Sequence, residues 1–257
     1  MISIKTEKDI ALLREGGARL ARILAMVALE AKSGVSTEYL NSLAEDFITK
    51  GGDTSAFLNY RPSGASRPYP ASLCVSINNE VVHGIPTEKP RVLMDGDIVS
   101  LDLGLVHQKR ITDHAITIGV GEISSEAKRL LATTREALAV GIKAAQVGKK
   151  TGDIGFAIEH FVRSRGAYGI IEELTGHGVG YSVHEDPFIP NFGKPGQGAP
   201  LEPGMVIAIE PMLTLGSKEI ILSDDGYTIC TTDGSLAAHF EHTILITATG
   251  PEILTKL

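Results

Sequence analysis

A weak internal repeat constrains the fold of this chain more than any single segment does. Residues 34–52 align with residues 148–166, and residues 93–102 align with residues 201–210. The aligned positions of similar type are Gly34 with Gly148, Thr37 with Thr151, Leu40 with Ile154, Phe47 with Phe161, Leu93 with Leu201, Gly96 with Gly204 and Ile98 with Val206. Because the matches keep the same order in both halves of the chain, they indicate a duplicated unit.

The duplication also pairs residues that can carry chemistry. Asp102 aligns with Glu210, and His83 aligns with His184. The two units span approximately residues 34–119 and 148–247. If they fold around a pseudo-twofold axis, the two acids meet at its centre. We therefore expect a single catalytic domain over residues 1–257.

Composition restricts the class of protein. The chain has 257 residues, of which 43% are hydrophobic, enough to bury a core. Its net charge of −7 argues against sequence-independent nucleic-acid binding, which would need a basic face, and we expect no specific nucleic-acid binding. Cys74 and Cys230 are too few for a disulfide scaffold and favour a reducing compartment. With no signal peptide and no long apolar run, we expect a cytoplasmic protein that does not enter membranes.

Hydrophobic periodicity predicts helices packed on strands. Thr6 and Asp9 form a capping-box start for a first helix that continues to Ser33–Gly34. Three further helices are expected at about 36–50, 124–146 and 151–165. Strands are expected at 72–77, 97–106, 111–120, 205–213, 226–231 and 241–247, with a loop at 53–71. The pattern indicates an α+β fold in which helices cover one curved, mostly antiparallel sheet.

Four carboxylates lie in strands that are otherwise apolar. Burying a carboxylate there is costly unless it is paired or binds a metal. Asp102 lies in "IVSLDLGLV", and Glu210 lies in "VIAIEPML". Asp113 follows Asp102 across the predicted turn "HQKR", so a hairpin can place both on the same side of adjacent strands. Glu241 begins the last apolar strand.

The glycine-rich stretch "GHGVGYSVHEDP" adds His177 to these acids. Carboxylate oxygens with one imidazole suit divalent ions such as Mn, Fe, Co or Zn. Because five protein ligands are more than one ion needs, we interpret the set as a site for two ions roughly 3.5–4 Å apart.

Each of these residues also has an ordinary structural interpretation. A single strand Asp more often lies at an edge or in a turn, and a single His is more often structural than a ligand. The remaining histidines are interpreted in that way: His107, His114, His160, His239 and His242. Four acids in apolar strands together with a glycine-flanked histidine do not fit the ordinary interpretation as a set.

Five motifs occur in the order and spacing of a known family: "NNEVVHGIP", "DIVSLDLGL", "GHGVGYSVHEDP", "IAIEPML" and "FEHTILIT". At these motifs nearly the whole chain resembles the type I methionine aminopeptidases, of the M24 family and the pita-bread fold. The short gap between His177 and Glu210 resembles type I rather than type II. The resemblance implies five metal ligands, which are Asp102, Asp113, His177, Glu210 and Glu241.

The same resemblance implies an activity and its partners. A hydroxide bridging two divalent ions (Co, Mn, Fe, Zn or Ni) would attack the bond after the first residue, whose amine sits on one ion. Glu210 would shuttle the proton, while His83 and His184 would contact the substrate and its intermediate. The implied substrates are peptides and nascent proteins with an N-terminal methionine, preferentially with a small second residue. The family is usually monomeric, and its role on nascent chains implies a transient ribosome contact.

The methionine pocket departs from the family pattern. The expected pocket residues, besides the two histidines, are Tyr69, Cys74 and Tyr227. The family commonly has an aromatic residue where Val183 stands and Trp where Tyr227 stands. Ser63 and Ser66 are the expected counterparts of its pocket-loop residues. The residues expected to be able to fill the space are Phe57, Tyr60, Phe188 and Phe192.

Other functions on the same fold stay open alternatives. A broader-specificity aminopeptidase would keep the metal site but not the methionine preference. X-Pro peptidases carry a large domain before the first metal ligand, whereas here 101 residues precede Asp102. Non-enzymatic binding proteins of this fold typically lose metal ligands, whereas all five are present here.

Overall fold

The computed structural model describes residues 2–257. Its four helices are α1 (Glu7–Glu30), α2 (Thr37–Lys50), α3 (Ser125–Ala144) and α4 (Thr151–Arg165). In the predicted capping box of α1, Thr6 Oγ1 accepts the amide of Asp9, and the Asp9 carboxylate accepts the amide of Thr6. Ser36 and Ser124 cap α2 and α3. None of the helices within residues 2–257 has the length and hydrophobicity needed to cross a bilayer.

The strands form one large and two small sheets, and all the strand pairs described are antiparallel. They are β1 (Thr54–Ser55), β2 (Leu73–Ile77), β3 (Glu80–Val82), β4 (Ile98–His107), β5 (Arg110–Gly119), β6 (Gly169–Ile170), β7 (Gly176–Gly178), β8 (Glu185–Ile189), β9 (Val206–Ile209), β10 (Met212–Thr214), β11 (Ile220–Leu222), β12 (Ile229–Thr231), β13 (Ala237–His239), β14 (Glu241–Thr247) and β15 (Gly250–Ile253). The large sheet runs β1-β4-β5-β14-β9-β7-β8, with β2 added to β4 and β15 added to β14. The small sheets are β13-β10-β6 and β11-β12-β3. The predicted α+β fold is confirmed.

The hairpin of β4 and β5 brings the first two acids together. Gln108 and Lys109 turn the chain with φ values of 46° and 66°. Asp102 pairs with Ala115 across the two strands. Because side chains alternate along a strand, Asp113 lies on the same face as Ala115 and therefore as Asp102.

The helices cover the sheet in two pairs. Helices α1 and α2 pack on β2 and β4 around Leu20, Leu40 and Leu101. Helices α3 and α4 pack on β9 and β14 around Ile154 and Ile207. Each pair therefore combines one helix of a proposed unit, α2 or α4, with the helix that precedes that unit, α1 or α3.

Matching hydrogen bonds support the proposed duplication. In the first unit, the amide of Thr37 donates to the carbonyl of Arg91, and in the second the amide of Thr151 donates to that of Ala199. A second equivalent pair joins Leu93 to Val35 and Leu201 to Lys149. Gly96 and Gly204 both have positive φ, 96° and 89°. The boundaries of the two units stay a prediction.

The strand predicted at 205–213 was wrong as one element. The chain forms β9, then leaves the large sheet at Glu210 and Pro211 and continues as β10 in a small sheet. Proline has no amide hydrogen to donate to a ladder, which accounts for the break. The break lets Glu210 project from the end of a strand rather than from its middle.

Asn41 on α2 fixes the start of β2, which carries Cys74. Its buried Oδ1 accepts the amides of Ser72 and Leu73 at 2.9 and 3.1 Å. We expect Asn41→Leu to lower the free energy of unfolding by about 1–3 kcal/mol, because two buried amides lose their acceptor. Urea unfolding measures this change. Ser42→Ala, at an exposed position of the same helix, is the control, and an equal small loss for both variants would contradict the assignment.

Candidate active site

The predicted site residues line one cavity of about 280 Å³. Its wall includes Asp102, Asp113, His177, Glu210, Glu241, His83, His184, Tyr69, Cys74 and Tyr227. The acids lie on the face of the large sheet and the aromatic residues lie beside them. Polar and apolar parts of a single site are therefore in contact.

Three of the acids lie on one face of the sheet around strand β5. Asp102 of β4 and Glu241 of β14 both pair with Ala115 of β5, from opposite sides. Asp113 lies two residues along β5 on the same face. The small side chain of Ala115 leaves the space between these carboxylates free.

His177 enters the cluster from β7, between two glycines. A Cβ on Gly176 would lie 2.3 Å from the carbonyl oxygen of Ala208, and one on Gly178 would lie 2.2 Å from that of Asp186. The glycines therefore allow β8 and β9 to close on β7 around the histidine. The close contacts of the two glycines are therefore with neighbouring strands.

The cluster has the donors of a metal site. One ligand atom each of Asp113, His177 and Glu241 lie within 4.8 Å of one another. The Nε2 atom of His177 lies 3.5 Å from Glu210 Oε1. The buried Oδ1 of Asp102 and Oε1 of Glu241 have no hydrogen-bond partner, and no Lys or Arg within residues 2–257 pairs with these acids. Oxygen donors with one imidazole and no protein cation fit divalent metal ions.

Burial dominates the electrostatics of the four acids. It raises the pKa of Asp113 to about 7, with a contribution from Glu210, and raises the pKa of Glu210 to about 8. Burial and the neighbouring carboxylates raise the pKa values of Asp102 and Glu241 well above the usual range. Burial lowers the pKa of His177 to about 3, so its ring is neutral and can act as a ligand.

Two further histidines face the acids. His184 Nδ1 lies 2.8 Å from the hydroxyl of Tyr60, and its ring centroid lies 4.5 Å from that of His177. His83 follows β3 with φ of 60°, a conformation that is uncommon for residues other than glycine. Desolvation lowers the pKa values of both rings, that of His83 to about 4, so both are neutral near pH 7.

The apolar wall differs from expectation in the loop before β2. Ser63 and Ser66, the expected counterparts of the family's pocket residues, are exposed and do not line the cavity. Phe57 lines it instead, with its ring against the backbone of Gly104, where a Cβ would lie 2.6 Å from Phe57 Cε1. Phe57 therefore supplies aromatic surface to a pocket where Val183 supplies none.

Other residues had been candidates to fill the pocket or had been set aside. Tyr60 lines the cavity, whereas Phe188 is exposed and Phe192 lies elsewhere.

His239, which the sequence pattern assigns to a structural role, has its Nε2 3.3 Å from Glu210 Oε2. Its position two residues before Glu241 was the signal, because alternate residues of an extended segment share a face.

Comparison with known proteins agrees with this geometry. The family described as Metallopeptidase family M24 matches residues 11–248. The chain is 46% identical over 258 residues to the methionine aminopeptidase of Aquifex aeolicus, covering 100% of this chain and 99% of that one. The crystal structure of methionine aminopeptidase from Rickettsia prowazekii matches with a TM-score of 0.94 and 40% identity, and both chains are covered completely. The chain belongs to metallopeptidase family M24.

Within family M24, the full-length likeness is to methionine aminopeptidases, and the resemblance inferred from the motifs is confirmed. The chain is a hydrolase of the metal-dependent aminopeptidase type with the pita-bread fold. The prolidase from Pyrococcus furiosus matches with a TM-score of 0.76 and 23% identity, over 99% of this chain and 65% of that one. That likeness shows a shared fold alone.

Metal-free protein should lose stability as the pH rises from about 5 to 8. The unfolded carboxyls release their protons near pH 4, whereas those of folded Asp113 and Glu210 release them near 7 and 8. The folded chain therefore holds more protons across this window, and its stability falls with pH. Because Mn²⁺ must displace those protons, adding Mn²⁺ should raise the Tm of the protein more at pH 8 than at pH 6.

Thermal unfolding with and without MnCl₂ at both pH values measures the effect. Asp46→Asn, at an exposed carboxyl, serves as the control and should behave like the unaltered chain. A gain in Tm that is equal at both pH values, or no gain at either, would contradict metal binding by the buried acids.

Proposed function

We propose that this chain removes the N-terminal methionine from peptides and nascent proteins, preferentially when the second residue is small. The observation that carries the proposal is the shared cavity, in which five metal-ligand side chains adjoin an apolar pocket. A hydrolytic centre beside a single side-chain pocket suits an enzyme that recognises one residue and cleaves next to it.

The metal ligands in this proposal are Asp102, Asp113, His177, Glu210 and Glu241. They would hold two divalent ions, of which Co, Mn, Fe, Zn and Ni are the candidates. When bound, such ions polarise a peptide carbonyl and lower the pKa of water to near neutrality. The unpartnered oxygens of Asp102 and Glu241 support this donor set.

Glu210 is the proposed proton carrier. Its carboxylate lies beyond the end of β9 and lines the cavity beside His177, and a carboxylate kept ionised by bound metal ions can take up and release a proton there. It takes the proton from the attacking water at one carboxylate oxygen and transfers it to the leaving amide nitrogen. The bond to the first residue breaks as the new amino terminus gains that proton.

The two neutral histidines act on the substrate carbonyl and the leaving group. His184 donates from Nε2 when its Nδ1 accepts the Tyr60 hydroxyl, which has no other hydrogen bond in the described chain. His83 lines the same cavity and would stabilise the tetrahedral intermediate or the leaving nitrogen. Tyr60 therefore sets the tautomer of His184.

The apolar wall binds the methionine side chain. Tyr69 and Tyr227 meet edge to face with ring centroids 5.1 Å apart, and Cys74 and Phe57 complete the wall. A thioether contacts aromatic edges favourably. The aromatic surface of Phe57 compensates for Val183, which supports a methionine preference.

The preference for a small second residue and the cellular location of the enzyme are part of the same proposal. A second cavity of about 110 Å³ beside His83, His184 and Glu210 would restrict the second residue to small side chains. Nascent chains with a free amino terminus are the proposed substrates, met through a transient ribosome contact by a cytoplasmic monomer.

Methionine release from Met-Ala-Ser and leucine release from Leu-Ala-Ser test this function. With Mn²⁺ or Co²⁺ we expect methionine to be preferred by about 10-fold or more, the range of a fitted apolar pocket. Glu210→Gln should lower turnover by about 10²–10⁴-fold, because the amide cannot carry the proton. Equal release of both residues would indicate a broader aminopeptidase, and full turnover of Glu210→Gln would remove its assigned role.

Tyr60→Phe tests the hydrogen bond to His184 without removing the ring from the pocket wall. Loss of a bond worth about 1 kcal/mol should lower kcat about five-fold, with KM for Met-Ala-Ser nearly unchanged. Tyr39→Phe, at an exposed position on α2, is the matched control. An unaltered kcat in Tyr60→Phe would show that the hydroxyl does not orient His184.

A further inference from the structure

His239 is a buried histidine that neither the metal ligands nor the proposed substrate contacts include. It ends β13 and is 2% exposed. Its Nε2 lies 3.3 Å from Glu210 Oε2, yet the ring N–H is not aligned on that oxygen, and neither ring nitrogen has a hydrogen bond. A buried unpaired donor costs about 1–3 kcal/mol, so the ring is poorly explained as packing alone.

The backbone of His239 is fixed on both sides by one residue. The amide of His239 donates to Thr117 Oγ1 at 2.8 Å, and the Thr117 hydroxyl donates to the His239 carbonyl at 2.7 Å. Ser100 Oγ lies 2.8 Å from the same Thr117 hydroxyl oxygen. These buried contacts from β4 and β5 determine where the imidazole stands.

The carboxylate of Glu210 lies between two imidazoles. Its Oε1 is 3.5 Å from His177 Nε2, and its Oε2 is 3.3 Å from His239 Nε2. Within residues 2–257, Glu210 is the carboxylate that lies within ion-pair distance of His239. Oε1 therefore faces the proposed metal ligands, and Oε2 faces the imidazole of His239, which can donate a hydrogen bond.

We propose that His239 is a positioning residue for Glu210. At 3.3 Å, a small rotation of the imidazole or the carboxylate brings the Nε2–H onto Oε2, and this hydrogen bond would hold the carboxylate with Oε1 turned toward His177. This inference rests on the proposed function, in which Glu210 both binds metal and carries the proton. Partners that orient a ligating carboxylate typically change metal affinity or activity by 10–100-fold when they are removed.

His239→Leu removes the donor while retaining a side chain of similar size, and His239→Gln retains an N–H donor. His239→Met replaces the leucine variant if that variant does not fold. His160→Leu, at an exposed position of α4, is the matched control. For each variant, calorimetry with MnCl₂ gives metal affinity, the visible spectrum of the Co²⁺-loaded protein reports ligand geometry, and Met-Ala-Ser gives kcat and KM.

We expect His239→Leu to weaken Mn²⁺ binding about 10-fold, to change the Co²⁺ spectrum and to lower kcat at least 10-fold with KM within about two-fold. His239→Gln should recover most of each property, and His160→Leu should match the unaltered chain. Unchanged affinity, spectrum and kcat in His239→Leu, or no recovery in His239→Gln, would overturn the proposal.

A double-mutant cycle with Glu210→Gln shows whether the effect passes through Glu210. If it does, His239→Leu should weaken Mn²⁺ binding in the unaltered chain and cause little further loss in the Glu210→Gln background. Equal losses in both backgrounds would overturn the contact. Failure of the unaltered chain to release methionine would refute the proposed function, while the calorimetric cycle would still decide the role of His239.

Discussion

Mutual repulsion among four clustered carboxylates, three of them buried, is the constraint on which the rest of this structure depends. Asp102, Asp113, Glu210 and Glu241 share one cavity wall, and no Lys or Arg in residues 2–257 neutralises them. In an interior of low dielectric constant such a cluster is unfavourable unless protons or metal ions are held there. The raised pKa values of Asp113 and Glu210 show that the metal-free cluster holds protons, and the oxygen and imidazole donors fit metal ions. The chain thus uses part of its folding energy to keep a cation site open.

Two similar halves of the chain provide the favourable packing that offsets this repulsion. Each half places a helical hairpin on its own strands, and matching hydrogen bonds recur at Thr37 and Thr151. The centre of the sheet receives Asp102 from one half and Glu210 and Glu241 from the other. Their environments differ, because Asp102 lies within a strand and Glu210 lies beyond the end of one. That difference leaves Glu210 with one histidine beside each carboxylate oxygen, His177 at Oε1 and His239 at Oε2.

The sequence predicted the polar part of the site better than its apolar part. An acid inside an apolar strand conflicts with its surroundings, so Asp102 and Asp113 could be recognised, and a hairpin with alternating side chains predicted their common face. Phe57 lies in a loop without periodicity, and its contact with Gly104 is purely tertiary, so the sequence could name it only as one of four aromatic residues able to fill the pocket. The strand break at Pro211 was readable from the missing amide hydrogen but was passed over within an apolar run. The sequence signal for His239 was only its position two residues before Glu241, whereas its distance from Glu210 depends on the tertiary fold.

The most direct test of the central claim is a titration of metal-free protein with MnCl₂, in which bound Mn²⁺ and methionine release from Met-Ala-Ser are measured in the same samples. The account predicts that release is absent without metal, rises as Mn²⁺ fills the cluster and disappears again when a chelator is added. Release that continues in excess chelator would contradict the account. So would Mn²⁺ bound at the cluster with no methionine released.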